Sequence, residues 1–240
     1  MKKILAFLLL LCGCTVTQPV EAPKHTFVFD YTPKQMSKGG SAGMVLAFIQ
    51  PYYAKRFPSG GNELFRRFRE SLSHDIDATI IAKGFTLKGP YASLDEILYG
   101  DKKIIDLIIS IEIDPEFVAA QGTWQQHFSI PTNYFTYSGK VSLVGKINIM
   151  GVEPMTGQRI ISPSVSIPNI TNIPIATTGR YTRQMQDYEI MQDAGVYNAV
   201  GDALTQQYKG IMDKINAYLD VEELKSHKGE IKELKSKKGY

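Results

Sequence analysis

Cys14 is the residue whose chemistry is defined most closely by its neighbours. Two lysines follow Met1, an apolar run extends from Ile4 to Leu11, and Leu11-Cys12-Gly13-Cys14 closes the segment. A positive start, a short apolar core and small residues before a cleavage point are typical of a secretory signal peptide. The Leu-x-Gly-Cys ending has the pattern of a bacterial lipobox, in which diacylglycerol alkylates the last thiol, the peptide is cut before it and the new amine is acylated. We therefore predict a signal peptide over residues 1–13 and a lipidated Cys14.

Two other interpretations of this segment stay open. One takes the cysteine as a chance residue after an ordinary secretory signal, and the other takes the segment as an uncleaved anchor. The apolar run has 8 residues, whereas a helix that spans a bilayer needs roughly 20. Thr15 follows Cys14 in place of the aspartate that commonly retains lipoproteins in the inner membrane of enteric bacteria. Thr15 therefore favours the outer membrane.

The rest of the composition argues against several kinds of partner and cofactor. Cleavage before Cys14 removes Cys12, so the mature chain has no free thiol for a disulfide, for catalysis or for a metal. Cleavage also removes Lys2 and Lys3 and lowers the formal charge from +3 to +1. No run of lysine and arginine suggests a nucleic-acid footprint. The chain has no cofactor fingerprint, and we expect neither a nucleic-acid partner nor a cofactor.

Three patterns could serve catalysis, and each has a simpler explanation. The segment Gly39-Gly40-Ser41-Ala42-Gly43 matches the nucleophile elbow of hydrolases, but that elbow needs a strand before the serine and a helix after it. Glu112 and Asp114 lie on one face of a strand. Two carboxylates on a face usually mark the solvent side of a half-buried strand. The histidines lie in separate segments without the spacing of metal ligands, at His25, His74, His127 and His227. We expect no enzyme and no metal site.

An aromatic segment between residues 124 and 137 is the candidate binding surface. Its candidate residues are Trp124, His127, Tyr134 and Tyr137. Polar neighbours accompany these rings, namely Gln125, Gln126, Thr132 and Asn133. Rings that stack and amides that orient a ligand are what a sugar or peptide site needs. The alternative is a long hairpin whose aromatic residues fold back on the core or lie near the membrane.

Apolar periodicity predicts the elements that position this segment. Apolar residues at four-residue spacing predict a helix from Asn62 to Gly84, and a second helix is expected over about 187–219. Strict alternation predicts strands over 105–113 and 141–149, followed by a turn at 153–158 and a partner strand over 161–167. Further strands are expected at 25–29, 44–50 and 85–88, and a capping box at Ser93 predicts a brief helix to about Tyr99. Residues 168–184 show no periodicity and are expected to form a loop.

The order of these elements predicts one α+β domain. A mixed, mostly antiparallel sheet would carry both long helices on one face. The predicted organisation is a signal peptide over 1–13, a lipidated cysteine and tether over 14–25, a globular domain over 26–220, and a charged, solvated helical tail over 221–240 rich in lysine and glutamate.

Several short motifs together resemble the neuraminyllactose-binding haemagglutinin family, also called flagellar-sheath adhesins. The strand Gly145–Ile149 leading to Glu153-Pro154-Met155-Thr156-Gly157 resembles the family's strand that ends in Glu-Pro-Met-Ser-Gly. The tail Lys232–Lys238 resembles its Lys-Glu-Leu-Lys-Gly-Lys-Arg ending. The lipobox, the strand that closes on Asp114-Pro115 and the long penultimate helix match in order. The resemblance implies a lipoprotein that adheres to host glycans or proteins.

This chain departs from the family pattern at the segment proposed to bind sialic acid. The family has lysine and arginine directly after the Asp-Pro pair, whereas this chain has Glu116–Gln121 without a basic residue. A sialic-acid carboxylate needs a cation or a set of N–H donors, so no binding residue is carried over from the family. We expect an outer-membrane lipoprotein, exposed at the surface or on a flagellar sheath, that binds its ligand. The alternative is a periplasm-facing accessory lipoprotein in envelope or sheath assembly.

Overall fold

A mixed seven-stranded sheet is the centre of the computed structural model, which describes residues 24–33, 41–57, 62–167 and 170–237. The predicted signal peptide, Cys14 and most of the tether lie outside the described residues. The strands are β1 (Val45–Tyr53), β2 (Thr86–Tyr91), β3 (Leu107–His127), β4 (Tyr134–Val152), β5 (Arg159–Ile161), β6 (Ser164–Ser166) and β7 (Ile170–Ala176). Their order is β2-β1-β3-β4-β5, and β6 and β7 also pair with β4. β1 runs parallel to β2 and β3, and the other pairs are antiparallel.

Two long helices cover one face of this sheet. The helices are α1 (Glu63–Ala82), α2 (Tyr99–Ile104), α3 (Asp187–Ile190), α4 (Ala194–Tyr218), α5 (Val221–Ser226) and α6 (Lys228–Lys237). α1 begins where predicted, because the side chain of Asn62 accepts a hydrogen bond of 2.9 Å from the Leu64 N–H. α1 and α4 enclose one core with the strands, and a smaller apolar cluster lies on the opposite face. The predicted α+β domain, with both long helices on one face, is confirmed.

The prediction of a first strand at 25–29 is wrong, because these residues pair with no strand of the described chain. Phe27, Phe29 and Tyr31 instead point into the core between the two long helices. The Phe29 ring lies 5.4 Å from that of Phe68 and 5.3 Å from that of Tyr208. Alternation of apolar residues shows that one side of a segment is buried, and here helices rather than a strand bury it.

The segment 168–184 contains β7 and is not the continuous loop expected. Ile170, Ile173 and Ile175 are buried, but the first two are three residues apart. Asn172 between them has a φ of 59°, and the register against β4 shifts at this point. One extra residue in a strand breaks the two-residue period, so the alternation test misses it.

The second long helix is interrupted at Asp193, which separates α3 from α4. Its carboxylate accepts from the Gly195 N–H at 2.8 Å, and so caps α4. It also accepts from the Thr178 and Gly179 N–H groups and from the Tyr181 hydroxyl, the last at 2.7 Å. One fully buried carboxylate therefore joins the segment after β7 to the start of α4.

Two other local expectations need correction. The Ser93 side chain makes no capping hydrogen bond, and Glu96 accepts from the Ala92 N–H instead. The result is a single 3-10 turn over Leu94–Glu96, and α2 begins only at Tyr99. The charged tail is helical as expected, but it is not simply solvated. Four of its apolar side chains are buried, namely Val221, Leu224, Ile231 and Leu234.

Candidate functional site

The four predicted aromatic and histidine residues lie on the distal half of the β3–β4 hairpin. Trp124 pairs with Tyr137, and His127 pairs with Tyr134. Side chains alternate between the two faces of a strand, and directly paired residues share a face. Because 124 and 127 differ by an odd number, the two pairs lie on opposite faces. The hairpin therefore brings the four residues together as two separate pairs.

The Trp124–Tyr137 pair faces the core. The ring centroids are 5.3 Å apart, Trp124 packs against the core, and Tyr137 is only 4% exposed. Burial raises the pKa of the Tyr137 phenol, and the buried hydroxyl has no hydrogen-bond partner among the described residues. A Cβ on Gly122 would lie 2.0 Å from this hydroxyl, so the ring depends on the glycine for its position. Tyr137 is thus a packed residue of the hairpin.

The His127–Tyr134 pair lies on the other face and is partly exposed. The two rings stack at 4.7 Å with an angle of 13° between their planes. The Arg180 guanidinium carbon lies 4.5 Å from the Tyr134 centroid, and His127 Nε2 lies 2.9 Å from the Thr136 hydroxyl. Two protein groups already contact the Tyr134 ring, so ring stacking with a ligand would have to displace one of them.

A polar cleft in the body of the domain was not predicted as a site. Its volume is about 370 Å³, and α1 and β1 line it with Gln50, Pro51, Arg69, Glu70, Ser73, His74 and Asp77. Arg69, Ser73 and Asp77 are spaced by four residues and so form one row along α1. The sequence placed these residues on the polar face of this helix. Their common row is the signal that could have singled them out.

Asp77 has the least satisfied carboxylate in this cleft. Its Oδ1 atom is buried and accepts no hydrogen bond from the described residues. Burial raises the pKa of Asp77 to about 6, although nearby His74 opposes the shift. A buried acceptor without a donor costs about 1–3 kcal/mol, so the position of this carboxylate lowers the stability of the fold.

The residues considered for catalysis contact other groups of the protein. The Ser41 hydroxyl accepts from the Gly43 N–H at 3.0 Å, and a strand follows the segment where a nucleophile elbow needs a helix. Glu112 accepts from the Asn148 amide at 3.0 Å, and Asp114 pairs with Arg56 at 2.6 Å. Among the described residues, no group of three histidine, cysteine or acidic side chains could hold a metal ion.

Arg56 also bears on the segment that departs from the family pattern. It comes from the turn after β1 and lies in a cleft of about 290 Å³ with Pro115, Glu116 and Phe117. A cation is therefore present beside this segment although the segment itself has none. The Arg56 guanidinium is already paired with the Asp114 carboxylate.

The face of the sheet opposite the long helices has a more apolar groove. Its volume is about 530 Å³, and it is lined by Ile49, Tyr52, Ile108, Met150 and Val152 together with the 3-10 turn.

Within the described ranges, no helix is both long enough and apolar enough to cross a membrane.

The comparisons with known proteins concern the fold. A solved Helicobacter pylori protein, described as a homolog of a neuraminyllactose-binding haemagglutinin, matches with a TM-score of 0.55 and 15% identity over 86% of this chain and 98% of that one. A Xanthomonas campestris protein of the DUF330 family gives a TM-score of 0.41 and 10% identity over 86% and 99% of the two chains. A Neisseria meningitidis lipoprotein gives a TM-score of 0.27 and 12% identity over 66% of this chain and 99% of that one.

No family model and no curated protein matches the chain. An identity of 15% with the Helicobacter protein shows a common fold and nothing about ligands. The chain therefore shares its α+β architecture with a haemagglutinin homolog over nearly the whole length of that protein.

Proposed function

We propose that this chain is a lipid-anchored outer-membrane lipoprotein that acts by binding. In this proposal Cys14 holds the domain at the membrane by diacylglycerol and fatty acyl groups, and the domain adheres to a host glycan or protein from the cell surface or a flagellar sheath. The lipobox pattern supports the anchor. The fold shared with a protein named for neuraminyllactose binding, together with the motifs at Glu153 and Lys232, supports the ligand class. The proposal includes no catalysis.

The observation that carries the binding role is the polar cleft of α1. A glycan presents many hydroxyl donors, and the Asp77 and Glu70 carboxylates line this cleft and can accept from them. Arg69, Ser73 and His74 line the same cleft and supply a cation, a hydroxyl and an imidazole. If the glycan ends in a neuraminyl group, its carboxylate would pair with the Arg69 guanidinium, which suits planar anions. The cleft thus has both kinds of group that such a ligand needs.

The hairpin residues predicted from the sequence remain proposed ligand contacts of a second kind. His127 and Tyr134 are partly exposed and present a polar edge, whereas Trp124 and Tyr137 face inward. A ligand that engages the hairpin therefore meets His127 and Tyr134 first. We assign the principal contact to the cleft because it is concave, as ligand sites usually are.

A binding screen with matched variants tests the adhesin. The full chain with Cys14→Ser is applied to arrays of sialylated glycans, neutral glycans and matrix proteins, beside Arg69→Ala and Asp77→Asn. Arg67→Ala is the control, because Arg67 lies on the same helix, pairs with Glu63 at 2.6 Å and does not line the cleft. We expect binding by the parent chain and the control, and a loss of about tenfold in the two cleft variants, the effect of one hydrogen bond to a charged group. No binding to any surface would contradict the adhesin.

The apolar groove on the opposite face favours a second candidate, an accessory lipoprotein that holds a protein partner inside the envelope. A groove lined by Ile49, Tyr52, Ile108 and Met150 suits an apolar segment of another protein better than a sugar. Protease treatment of intact cells separates the two candidates. Loss of the domain supports surface display, and protection supports the periplasm-facing role.

A further inference from the structure

The first described residues, Lys24 and His25, lie against α4. The Lys24 ammonium lies 5.4 Å from the Tyr197 ring centroid, and the His25 N–H donates to Asn198 at 2.7 Å. From there the chain follows α4 toward its C-terminus, since Phe29 contacts Tyr208 and Tyr31 donates to Asp213 at 3.0 Å. The described end of the tether therefore lies beside the first turns of α4.

The first turns of α4 lie at the same end of the domain as the distal hairpin. Asp193, which caps α4, accepts from the Tyr181 hydroxyl. The Tyr181 N–H donates to the Phe135 carbonyl at 3.1 Å, and the Phe135 N–H donates back at 2.7 Å. The hairpin tip lies only a few residues beyond Phe135, at about 3.3 Å per residue. The tether and the tip therefore share one end of the molecule.

The tip has the composition of a segment that meets the membrane interface. The stretch from Ala119 to Gly139 has no acidic residue, lysine or arginine, and His127 is its one titratable group besides the tyrosines. Phe128 is 84% exposed and Ile130 is 94% exposed, and the two lie two positions apart in the turn between β3 and β4. Exposed apolar residues with tryptophan and tyrosine behind them are typical of the boundary between water and lipid.

A cationic residue lies beside this uncharged tip. The Arg180 guanidinium contacts the Tyr134 ring, and Lys24 and Lys140 are exposed on the tether and on β4. Basic side chains close to a membrane surface are attracted to anionic headgroups, by about 1 kcal/mol for each near an anionic leaflet. An exposed apolar tip with an arginine behind it fits a phospholipid surface better than a soluble ligand.

We propose that the hairpin tip at Phe128 and Ile130 docks into the phospholipid surface to which Cys14 is attached. The inference rests on the lipid anchor of the proposed function. Nine residues lie between Cys14 and Lys24, and the ten Cα-to-Cα steps reach at most about 34 Å, so anchoring already holds the hairpin end near the bilayer. Docking of the tip would give the domain one orientation, with the body directed away from the lipid.

The polar cleft lies on the side that this orientation exposes. It includes Gln50 and Pro51, which lie at the level of Ser110 to Glu112 on β3. About 15 residues of β3 separate that level from His127, or up to about 50 Å of strand. A docked tip would therefore place the cleft well above the membrane, where a host ligand could reach it.

Depth-dependent fluorescence quenching tests the docked tip in the lipidated protein. Ile130→Cys is labelled with a thiol-reactive fluorophore and reconstituted in vesicles of phosphatidylethanolamine and phosphatidylglycerol that contain a spin-labelled lipid. Lys232→Cys is the matched control, because it is exposed on α6, where Lys235 contacts the carbonyl of Ile105, two residues before β3. We expect quenching several-fold stronger at position 130 than at 232. Equal, weak quenching at both positions would overturn the proposal.

A second arm tests the tip without the anchor. In the Cys14→Ser chain, Phe128→Ser combined with Ile130→Ser should weaken partitioning into the same vesicles about tenfold or more, which corresponds to about 1.4 kcal/mol. Ile81→Ser combined with Leu98→Ser is the control, because these side chains are 60% and 71% exposed on the body of the domain. Equal losses in both pairs would contradict a specific role for the tip.

The two arms separate failure of the anchor from failure of the tip. If mass spectrometry finds Cys14 unmodified while partitioning still depends on the tip, the proposed anchor is wrong and the docking of the tip stands. If Cys14 is modified but the fluorophore at position 130 stays in water, only the docking of the tip is wrong.

Discussion

The base and the tip of the β3–β4 hairpin are continuous strands in different surroundings. At the base, β3 lies between β1 and β4, and residues such as Ile109 and Ile111 are buried under the long helices. Toward the tip, the part of β3 that includes Trp124 and His127 pairs with β4 alone, and Phe128 and Ile130 face solvent. The base therefore stabilises the fold, whereas the tip is free to meet another surface.

Substitutions of single apolar residues should show this difference most strongly. Ile111→Ala removes a fully buried side chain at the base and should lower the free energy of unfolding by about 2–5 kcal/mol, through lost burial and a residual cavity. Phe128→Ala at the tip should change it by no more than about 0.5 kcal/mol. Urea denaturation of the Cys14→Ser chain measures both. Similar losses in the two variants would show that the tip is packed.

Asp193 lies at the junction of the two regions. Replacing it should lower the free energy of unfolding nearly as much as Ile111→Ala does. Asp193→Ala removes the cap of α4 and leaves the N–H groups of Thr178 and Gly179 without their acceptor. We expect a loss of about 2–4 kcal/mol from these combined effects. Denaturation monitored by circular dichroism tests it, with Asp202→Asn, an exposed carboxylate of the same helix, as control. A loss below about 1 kcal/mol would mean that solvent replaces the carboxylate.

Two glycines of α4 should respond in opposite directions. A Cβ at Gly201 would lie 2.2 Å from the Phe27 ring. Gly201→Ala should therefore displace the segment that contains Phe27 and lower the free energy of unfolding by about 1–3 kcal/mol. Gly210 has nothing within 4 Å of its Cβ position, so Gly210→Ala should stabilise the helix by about 0.5–1 kcal/mol. Thermal unfolding of the two variants measures the contrast. Stabilisation by both alanines would show that Phe27 is not held as described.

A further expected effect concerns the pH dependence of the stability of the domain. Because the pKa of Asp77 is raised from 3.8 to about 6 in the folded chain, the native state binds more protons than the unfolded state between these values. Stability should therefore fall as the pH rises from about 4 to about 6. Asp77→Asn should remove that part of the fall and be more stable than the parent chain at pH 7. Melting temperatures across this range test the sign, and an unchanged profile would contradict the raised pKa.

Much of the fold could be predicted from local patterns. The four-residue spacing from Leu64 to Ile80 fixed α1, and the alternation from Leu107 to Ile113 fixed the base of β3, because both elements bury one face. The segment at Phe27 and the strand at Ile173 could not be assigned this way. The first is buried by helices without strand pairing, and an extra residue interrupts the period of the second.

The candidate site was harder to predict because it depends on neighbours distant in sequence. Gln50 and Asp77 are 27 positions apart, and only the packing of α1 beside β1 forms their cleft. Desolvation of the Asp77 carboxylate likewise follows from tertiary burial and not from the polar row to which it belongs. On the hairpin, the aromatic residues were visible in the sequence, but the pairing register decides that Tyr137 faces inward and Tyr134 outward.

The anchor at Cys14 is the claim on which membrane location, orientation and access to a host ligand all depend. Mass spectrometry of the native protein, extracted from membranes without prior labelling, tests it directly. We predict an N-terminal peptide that begins at Cys14 and carries diacylglycerol and an amide-linked fatty acid. An unmodified Cys14, or a chain that still begins at Met1, would contradict it.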